Sequence, residues 1–209
     1  EEFSAQWETL GLEFDCIYTG FFANGAQIDF ARRFIERFAK DDTLILVDPV
    51  LGDNGALYGC FGPEQVEKMR QLCRMAHVIT PNRTEAALLA GLPADTPAEE
   101  LLAALRARLE VENTIVTGVC RENEIGYLAW LGEREMSLQY PRVAQTLHGT
   151  GDVFAAALCG ALLSCGEAPA ALRQAAEFCN ACVEKTAQRQ PAHWYGLAFE
   201  DVLKERSGL

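Results

Sequence analysis

Apolar runs that alternate with segments of helical period are the feature that most constrains this chain. The runs FDCIYTG (14–20), TLILVDP (43–49), HVITP (77–81) and NTIVTG (113–118) show almost no polar alternation. A strand with one face in water shows a period of two, whereas a strand buried on both faces is continuously apolar. We therefore predict a three-layer α/β/α fold with a mostly parallel central sheet.

The segments around these strands have the spacing of helices. In 26–40 one face carries the apolar residues Ile28, Ala31, Phe34, Ile35 and Phe38. Further helices are predicted at 1–13, 62–76, 83–91, 97–110, 151–166 and 169–189. The stretches IGYLAWLG and REMSLQYPRV flank Gly132 and Glu133 with partial alternation, which predicts an antiparallel hairpin at the edge of the sheet.

Size and charge limit the function classes that the chain can belong to. Its 209 residues, 49% of them hydrophobic, predict a single globular domain over 1–209. The net charge of −12 argues against a nucleic-acid partner, because a surface that follows phosphates needs clustered Lys and Arg. An anionic ligand must therefore be held by a local device.

Eight cysteines lie mostly in apolar stretches, and no run of eighteen apolar residues suggests a membrane span. We expect a cytoplasmic protein without membrane association. Cys179 and Cys182 form a CxxC motif, but no second pair or nearby His accompanies it, so we expect these thiols to pack in a helix.

Polar residues follow the strand ends, where ligands collect in open parallel sheets. These are Asp48, the segment TPNRTE (80–85), Thr117 with Gly118, and the segment HGTGD (148–152). Together they are expected to surround a phosphorylated ligand. His148 is either part of that site or a satisfied strand-end histidine, and His77 and His193 are interpreted as structural.

The segment Gly149, Thr150, Gly151 and Asp152 directly precedes an apolar helix. Glycines allow successive N–H groups to converge at a helix start, which makes an anion hole without Lys. Asp152 would then accept a proton from an attacking alcohol. Alternatively, Thr150 or Asp152 simply caps the helix. A Walker A loop is absent, and Phe154 breaks the dinucleotide fingerprint.

Two acidic motifs allow both a structural and a functional interpretation. Asn82 and Glu85 have the spacing of a capping box, and the same oxygens are suited to organising magnesium-bound water. Asp53 begins an ordinary turn signature. Asp48, however, ends a buried strand, and its desolvation requires a cation or hydrogen-bond donors.

The motifs VDPVLGDNGALY, ITPNRTEAALLAG, IVTG and HGTGDVFAAALCGALL, in that order, resemble the pyridoxal/pyridoxamine kinase branch of the ribokinase-like superfamily. The carboxyl-terminal HWYGLAFEDVL is similar to bacterial pyridoxamine kinases. The resemblance runs over essentially the whole chain. It implies transfer of a phosphoryl group from ATP to the 5′-hydroxymethyl group of pyridoxal, pyridoxamine or pyridoxine.

The resemblance also implies roles for individual residues. Gly149, Thr150 and Gly151 would form the anion hole, with Asp152 as the base. The implied metal contacts, to Mg²⁺-bound water and a monovalent cation (K⁺ or Na⁺), are Asp48, Thr80 and Glu85. The implied nucleotide contacts are Asp53, Asn82, Thr117, Gly118, Val143, Ala144 and Gln145.

Related hydroxymethylpyrimidine kinases typically carry a Cys in place of Asp152, which favours vitamin B6 here. Kinases of this branch begin with a strand, a helix and a lid that holds the pyridine ring, whereas 1–13 resembles the helix after that region. We therefore expect an N-terminally incomplete domain with exposed apolar surface that promotes association, such as a homodimer. A form that binds nucleotide without catalysis, and a hydroxymethylpyrimidine or sugar kinase, remain alternatives.

Overall fold

The computed structural model describes residues 2–189 and 196–207, in which helices cover both faces of a six-stranded sheet. The strands are β1 (Cys16–Thr19), β2 (Leu44–Val47), β3 (Gly52–Asp53), β4 (Ala56–Leu57), β5 (Val78–Ile79), β6 (Asn113–Arg121), β7 (Glu124–Leu131) and β8 (Arg134–Pro141). The helices are α1 (Glu2–Thr9), α2 (Gly25–Phe38), α3 (Pro63–Cys73), α4 (Arg83–Ala90), α5 (Ala98–Leu109), α6 (Thr150–Cys165), α7 (Ala168–Ala187) and α8 (Phe199–Ser207).

The main sheet has the strand order β1-β2-β5-β6-β7-β8. The pairs β1–β2, β2–β5 and β5–β6 are parallel, whereas β6–β7 and β7–β8 are antiparallel. The predicted three-layer α/β fold with an antiparallel edge hairpin is confirmed. Because four neighbouring strands run the same way, their carboxyl ends lie together at one edge of the sheet.

The strands are continuously apolar because each strand contributes side chains to the hydrophobic core on both faces of the sheet. Leu46 packs with the helices α6, α7 and α8, while its neighbour Val47 packs with α2 to α5. Val78 and Ile79 divide in the same way. Alternate side chains of a strand point to opposite faces, and here both faces are dry.

Three features differ from the sequence-based prediction. Strand β6 continues to Arg121 instead of ending at residue 118, and its ladder with β7 has an irregularity between Thr117 and Val119. The predicted turn at 53–55 is flanked by two very short strands, β3 and β4. A further helix, α8, follows the two long closing helices. Very short strands, and the part of a strand that forms through pairing with its neighbour, show little hydrophobic periodicity in the sequence, so the sequence did not predict them.

The CxxC cysteines lie in α7 and face the core, as predicted. Cys179 is 2% exposed and Cys182 is fully buried, and all eight cysteines of the chain are free thiols. Within the two described ranges, no helix is long and apolar enough to span a membrane.

Phe154 is the side chain on which the start of α6 depends most for packing. It is 1% exposed, and its ring stacks on Tyr127 of β7 at a centroid distance of 4.4 Å. We expect Phe154→Ala to lower the free energy of unfolding by about 3–5 kcal/mol, because it leaves a cavity beneath the first turn of the helix. Leu163→Ala on the same helix, where the side chain is 50% exposed, should change it by less than about 0.5 kcal/mol. Urea titration of both variants measures the difference, and equal losses would contradict this role of Phe154.

Candidate active site

Main-chain hydrogen bonds join the carboxyl ends of the parallel strands. The N–H of Asp48 donates to the carbonyl of Thr19 (2.9 Å), and the N–H of Thr80 donates to the carbonyl of Val47 (3.2 Å). The N–H of Thr117 donates to the carbonyl of Pro81 (2.9 Å). Residues from four separate segments of the chain therefore converge at one edge of the sheet.

Asp48 is a buried acid at this edge, with 6% of the residue exposed. The hydroxyl of Thr80 donates to its Oδ1 atom at 3.2 Å. Burial raises the pKa of Asp48 to about 7, the Thr80 hydrogen bond opposes that rise, and the nearby charge of Asp152 adds to it. An ionised carboxylate here has one hydroxyl donor and lacks a cation partner among the described residues, so the site favours an incoming positive charge.

Glu85 is a second buried acid, 3% exposed, in the first turn of α4. Its Oε2 atom accepts from the N–H of Asn82 (2.8 Å), and its Oε1 atom accepts from the N–H of Leu51 (3.2 Å). Asn82 Oδ1 in turn accepts from the N–H of Glu85 (2.9 Å). The predicted capping box is confirmed. Burial, opposed by these hydrogen bonds and reinforced by Asp48, raises the pKa of Glu85 to about 8.

The capping box also fixes the short β3–β4 hairpin over the site. Asn82 Nδ2 donates to the carbonyl of Gly52 (2.9 Å), and the N–H of Gly55 donates to Thr84 Oγ1 (2.9 Å). Gly52 is required by the close approach of the two strands, because a Cβ atom there would lie 2.2 Å from the carbonyl oxygen of Ala56. Asp53 is exposed on this hairpin.

The glycine segment forms the start of α6. Gly149 is the N-cap residue with φ of +82°, a left-handed conformation that glycine adopts most easily. No side-chain hydrogen bond caps the helix, so neither Thr150 nor Asp152 is a hydrogen-bonded cap, but Asp152 lies in the first turn, where the helix dipole favours an acid. Within 2–189 and 196–207, the N–H groups of Thr150, Gly151 and Asp152 make no hydrogen bond to protein. They are therefore available to an anion.

Asp152 lies exposed in the first turn of α6 and close to Asp48. A Cβ atom added to Gly151 would lie 3.9 Å from Asp48 Oδ2. The helix start and the end of β2 are thus neighbours, as the sequence predicted. The charge of Asp152 is also close enough to add to the rise in the pKa of Asp48.

Two tyrosines that the sequence analysis missed also face this group of acids. Burial, and then the charges of Asp48 and Asp152, raise the pKa of Tyr18. Burial, Asp53 and Glu85 are the leading causes that raise the pKa of Tyr58. The signal in the sequence was position alone, since Tyr18 lies near the end of β1 and Tyr58 directly follows the hairpin.

The other residues that the sequence assigned to nucleotide contacts lie on β6 and in the segment after β8. Thr117 forms an isolated parallel bridge with Asn82 at the site edge, and Gly118 has φ of +68°. Both lie inside β6, so their predicted place beyond the end of a strand is wrong: pairing with β7 extends β6 to Arg121. The segment Val143, Ala144 and Gln145 follows β8.

In that segment Gln145 Nε2 donates to the carbonyl of Ala187 in α7 at 3.4 Å, and no hydrogen bond joins it to the acids among the described residues. His148 is exposed beside Gly149. His77 Nδ1 accepts from the N–H of Ile45 at 3.0 Å, as expected of a structural histidine. His193 lies outside the described residues.

Hard oxygen atoms dominate this edge of the sheet. No group of three or more His, Cys, Asp or Glu side chains in the described part of the chain could hold a metal ion by itself. Mg²⁺, however, is usually bound through one or two carboxylates together with substrate phosphates and water. Asp48 and Glu85, two buried carboxylates at this edge, fit cations that are shared with ligand phosphates and water.

A family model described as phosphomethylpyrimidine kinase matches residues 1–196. The chain belongs to this family. A pyridoxine/pyridoxal/pyridoxamine kinase from Bordetella avium is 29% identical over 71% of this chain and 52% of its own length. This supports the predicted likeness to pyridoxal kinases.

Solved structures extend this likeness to the fold. A provisionally described phosphomethylpyrimidine kinase from Bacteroides thetaiotaomicron, crystallised with pyridoxal, is 33% identical with a TM-score of 0.89. The match covers 99% of this chain and 75% of that one. A Staphylococcus aureus pyridoxal kinase in complex with AMP-PCP is 25% identical, with a TM-score of 0.73 over 87% of this chain and 67% of that one. The predicted likeness to pyridoxal kinases of the ribokinase-like superfamily is confirmed.

The chain spans about half the length of the curated relatives that it matches first, between 46% and 52%.

The pKa of Asp48 gives a testable dependence of stability on pH. Its folded pKa of about 7 lies above the unfolded value of about 3.9, so its contribution to stability is complete below about pH 4 and is lost as the pH rises through 7. Asp48→Asn removes this loss and keeps an oxygen for Thr80. We expect the ligand-free variant to be more stable than the parent at pH 8 by up to about 4 kcal/mol, because each unit of difference between the folded and unfolded pKa is worth about 1.4 kcal/mol, with little difference at pH 4.

Thermal unfolding without nucleotide or divalent cation measures this effect. Asp53→Asn on the exposed hairpin is the matched control and should show no such dependence. A variant of Asp48 that is less stable than the parent at pH 8 would contradict the assigned pKa.

Proposed function

We propose that this protein transfers the γ-phosphoryl group of ATP to the 5′-hydroxymethyl group of a B6 vitamer: pyridoxal, pyridoxamine or pyridoxine. The observation that carries the proposal is the meeting of three N–H groups and the exposed Asp152 carboxylate at the start of α6 with the buried Asp48 at the end of β2. Donors for phosphate, an acceptor for a proton and an acid suited to a cation thus occupy one edge of the sheet.

The start of α6 would stabilise negative charge on the transferred phosphoryl group. The N–H groups of Thr150, Gly151 and Asp152 point out of the first turn, and the helix dipole places partial positive charge there. Donors that are already oriented stabilise developing charge without reorganisation during the reaction. This local device would offset the net charge of −12, which by itself repels a polyphosphate.

Asp152 would take the proton of the acceptor hydroxyl. Its carboxylate is exposed in the first turn of α6, beside the proposed phosphate position. Phosphoryl transfer requires an in-line alcohol oxygen, and a carboxylate that accepts its proton orients that oxygen for attack. The exposure of Asp152 distinguishes it from Asp48 and Glu85, both of which are buried.

The buried acids would serve the metal ions. Mg²⁺ bound with ATP would neutralise charge on the phosphates. Glu85 would hold metal-bound water with the lone pairs that its main-chain hydrogen bonds leave free. Asp48 and Thr80 would contact a monovalent cation, K⁺ or Na⁺, beside the phosphates.

The nucleotide would lie along the edge formed by the β3–β4 hairpin, the start of α4 and β6. The residues proposed to contact it are Asp53, Asn82, Thr117, Gly118, Val143, Ala144 and Gln145. Asn82 is fixed by its hydrogen bonds to Gly52 and Glu85, which supports a positioning role. Cytoplasmic location and a homodimer are also proposed, since all cysteines are free and large apolar residues such as Phe3, Leu10 and Phe21 are exposed.

Asp152→Asn tests the proposed base. We expect kcat for pyridoxal to fall by about 10²- to 10⁴-fold, because asparagine cannot accept the proton, while the Kd for ATP changes little. Formation of pyridoxal phosphate, followed by its absorbance, gives the rate, and calorimetry gives the Kd. Glu100→Gln, which also changes an exposed acid in the first turn of a helix, should leave both unchanged.

Two outcomes of that experiment would count against the proposal. Turnover by Asp152→Asn equal to that of the parent would refute the base. ATP binding by the parent without any product would favour the alternative form that binds nucleotide without catalysis.

A substrate panel tests the acceptor. We expect phosphorylation of the B6 vitamers to exceed that of hydroxymethylpyrimidine, because Asp152 occupies the position where hydroxymethylpyrimidine kinases typically carry Cys. Values of kcat/KM for pyridoxal, pyridoxamine, pyridoxine and hydroxymethylpyrimidine, measured with the same preparation, provide the comparison. A kcat/KM that is highest for hydroxymethylpyrimidine would assign the chain to the reaction for which its family is named.

A further inference from the structure

Two cysteines that are 143 positions apart in the sequence meet between the sheet and α6. Cys16 begins β1, Cys159 lies in the middle of α6, and their Sγ atoms are 3.0 Å apart. Both residues are half-buried, so small molecules can reach them, whereas Cys73, Cys179 and Cys182 are buried. Neither Cys16 nor Cys159 belongs to the group of acids described above.

The contact acts on the two thiols in opposite directions. The hydrogen bond between the Sγ atoms lowers the pKa of Cys159. The same contact, with burial, raises the pKa of Cys16. The contact therefore favours the thiolate at Cys159 and the protonated thiol at Cys16. The thiolate is the form of cysteine that oxidants attack.

Cys159 and Cys16 lie on the same faces of α6 and β1 as Asp152 and Tyr18, which belong to the proposed site or lie beside it. Asp152 is seven residues before Cys159, or about two helical turns, so the two share one face of α6 at a spacing of about 10.5 Å. Tyr18 is two residues after Cys16 and therefore points to the same face of β1. The charges of both Cys159 and Asp152 act on Tyr18, which places the tyrosine near both the thiol pair and the base.

We propose that Cys16 and Cys159 are a reversible oxidation site, at which a peroxide converts the thiol pair to a disulfide that ties α6 to β1. The Cys159 thiolate attacks hydrogen peroxide and becomes a sulfenic acid, and hydroxide leaves. The sulfur of Cys16 then attacks the sulfenic sulfur, an S–S bond forms, and water leaves with the proton of Cys16. Two thiol sulfurs are oxidised, one peroxide is reduced, and a dithiol reductant restores the pair.

The bond would move α6 relative to the sheet. A disulfide has its sulfur atoms about 2.05 Å apart, which is about 1 Å closer than the present 3.0 Å. Where the packing of the two side chains passes a shift of that size on to α6, the alignment of the proposed base Asp152 would change. Misplacement of a catalytic group by about 1 Å can cost up to about 100-fold in rate.

The test oxidises the reduced chain with hydrogen peroxide at low protein concentration. Cys60 and Cys120, which are exposed, are first replaced by Ser to remove competing thiols. We expect an intramolecular cross-link between peptides that contain Cys16 and Cys159, detected by mass spectrometry and removed by dithiothreitol. We also expect Tm to rise by roughly 5–15 °C on oxidation, because the link closes a long loop of the unfolded chain.

Two variants make the assignment specific. Cys165→Ser, which changes another half-buried cysteine of α6, should keep the cross-link. Cys16→Ser should abolish it and leave a sulfenic acid on Cys159 that dimedone traps. Oxidation that yields only disulfide-linked dimers, a different cysteine pair or irreversible sulfinic acid would overturn the proposal.

The effect on rate rests on the proposed function and is measured separately. We expect oxidation to lower kcat for pyridoxal by about 10- to 100-fold and dithiothreitol to restore it, while Cys16→Ser keeps its activity under the same brief treatment. A cross-link in a chain that never phosphorylates pyridoxal would refute the function but keep the oxidation site. A chain that phosphorylates pyridoxal but forms no cross-link would refute the oxidation site and keep the proposed function.

Discussion

Main-chain hydrogen bonds that continue the parallel pairing beyond the strand ends are the constraint on which the site depends. The N–H of Asp48 is held by the strand β1, the N–H of Thr80 by β2, and the N–H of Thr117 by Pro81 after β5. Each polar residue is thereby fixed by the strand beside it. A parallel sheet gathers its carboxyl ends at one edge, so residues distant in sequence meet there without any loop that reaches across.

Placing acids at that edge costs stability. Asp48 and Glu85 are buried, and burial raises the pKa of each to about 7 and 8 respectively. Thr80 and two main-chain N–H groups compensate part of the cost. A Mg²⁺ ion bound together with ATP, or a monovalent cation, would supply the missing positive charge, so ligand binding and the free energy of unfolding would be linked through the same side chains.

Much of the fold and part of the site were predictable because they depend on local patterns. The capping box of Asn82 and Glu85 and the start of α6 at Gly149 are visible as fixed spacings between residue types. The continuation of β6 through Thr117 was not predictable, since it arises from pairing with β7. Tyr18 was missed because nothing in its neighbourhood in the sequence distinguishes a tyrosine that faces Asp152 from one that faces solvent.

The sequence by itself determined the layered fold, the alternation of its main strands and helices and the residue types at each strand end, because hydrophobic period and turn chemistry act over a few positions. Only the tertiary structure decided which of these residues meet and in what state. The separation of an exposed Asp152 from a buried Asp48, and the contact of Cys16 with Cys159, depend on how α6 packs on β1 and β2. Burial and proximity set pKa and reactivity, and both are properties of packed elements and not of any segment alone.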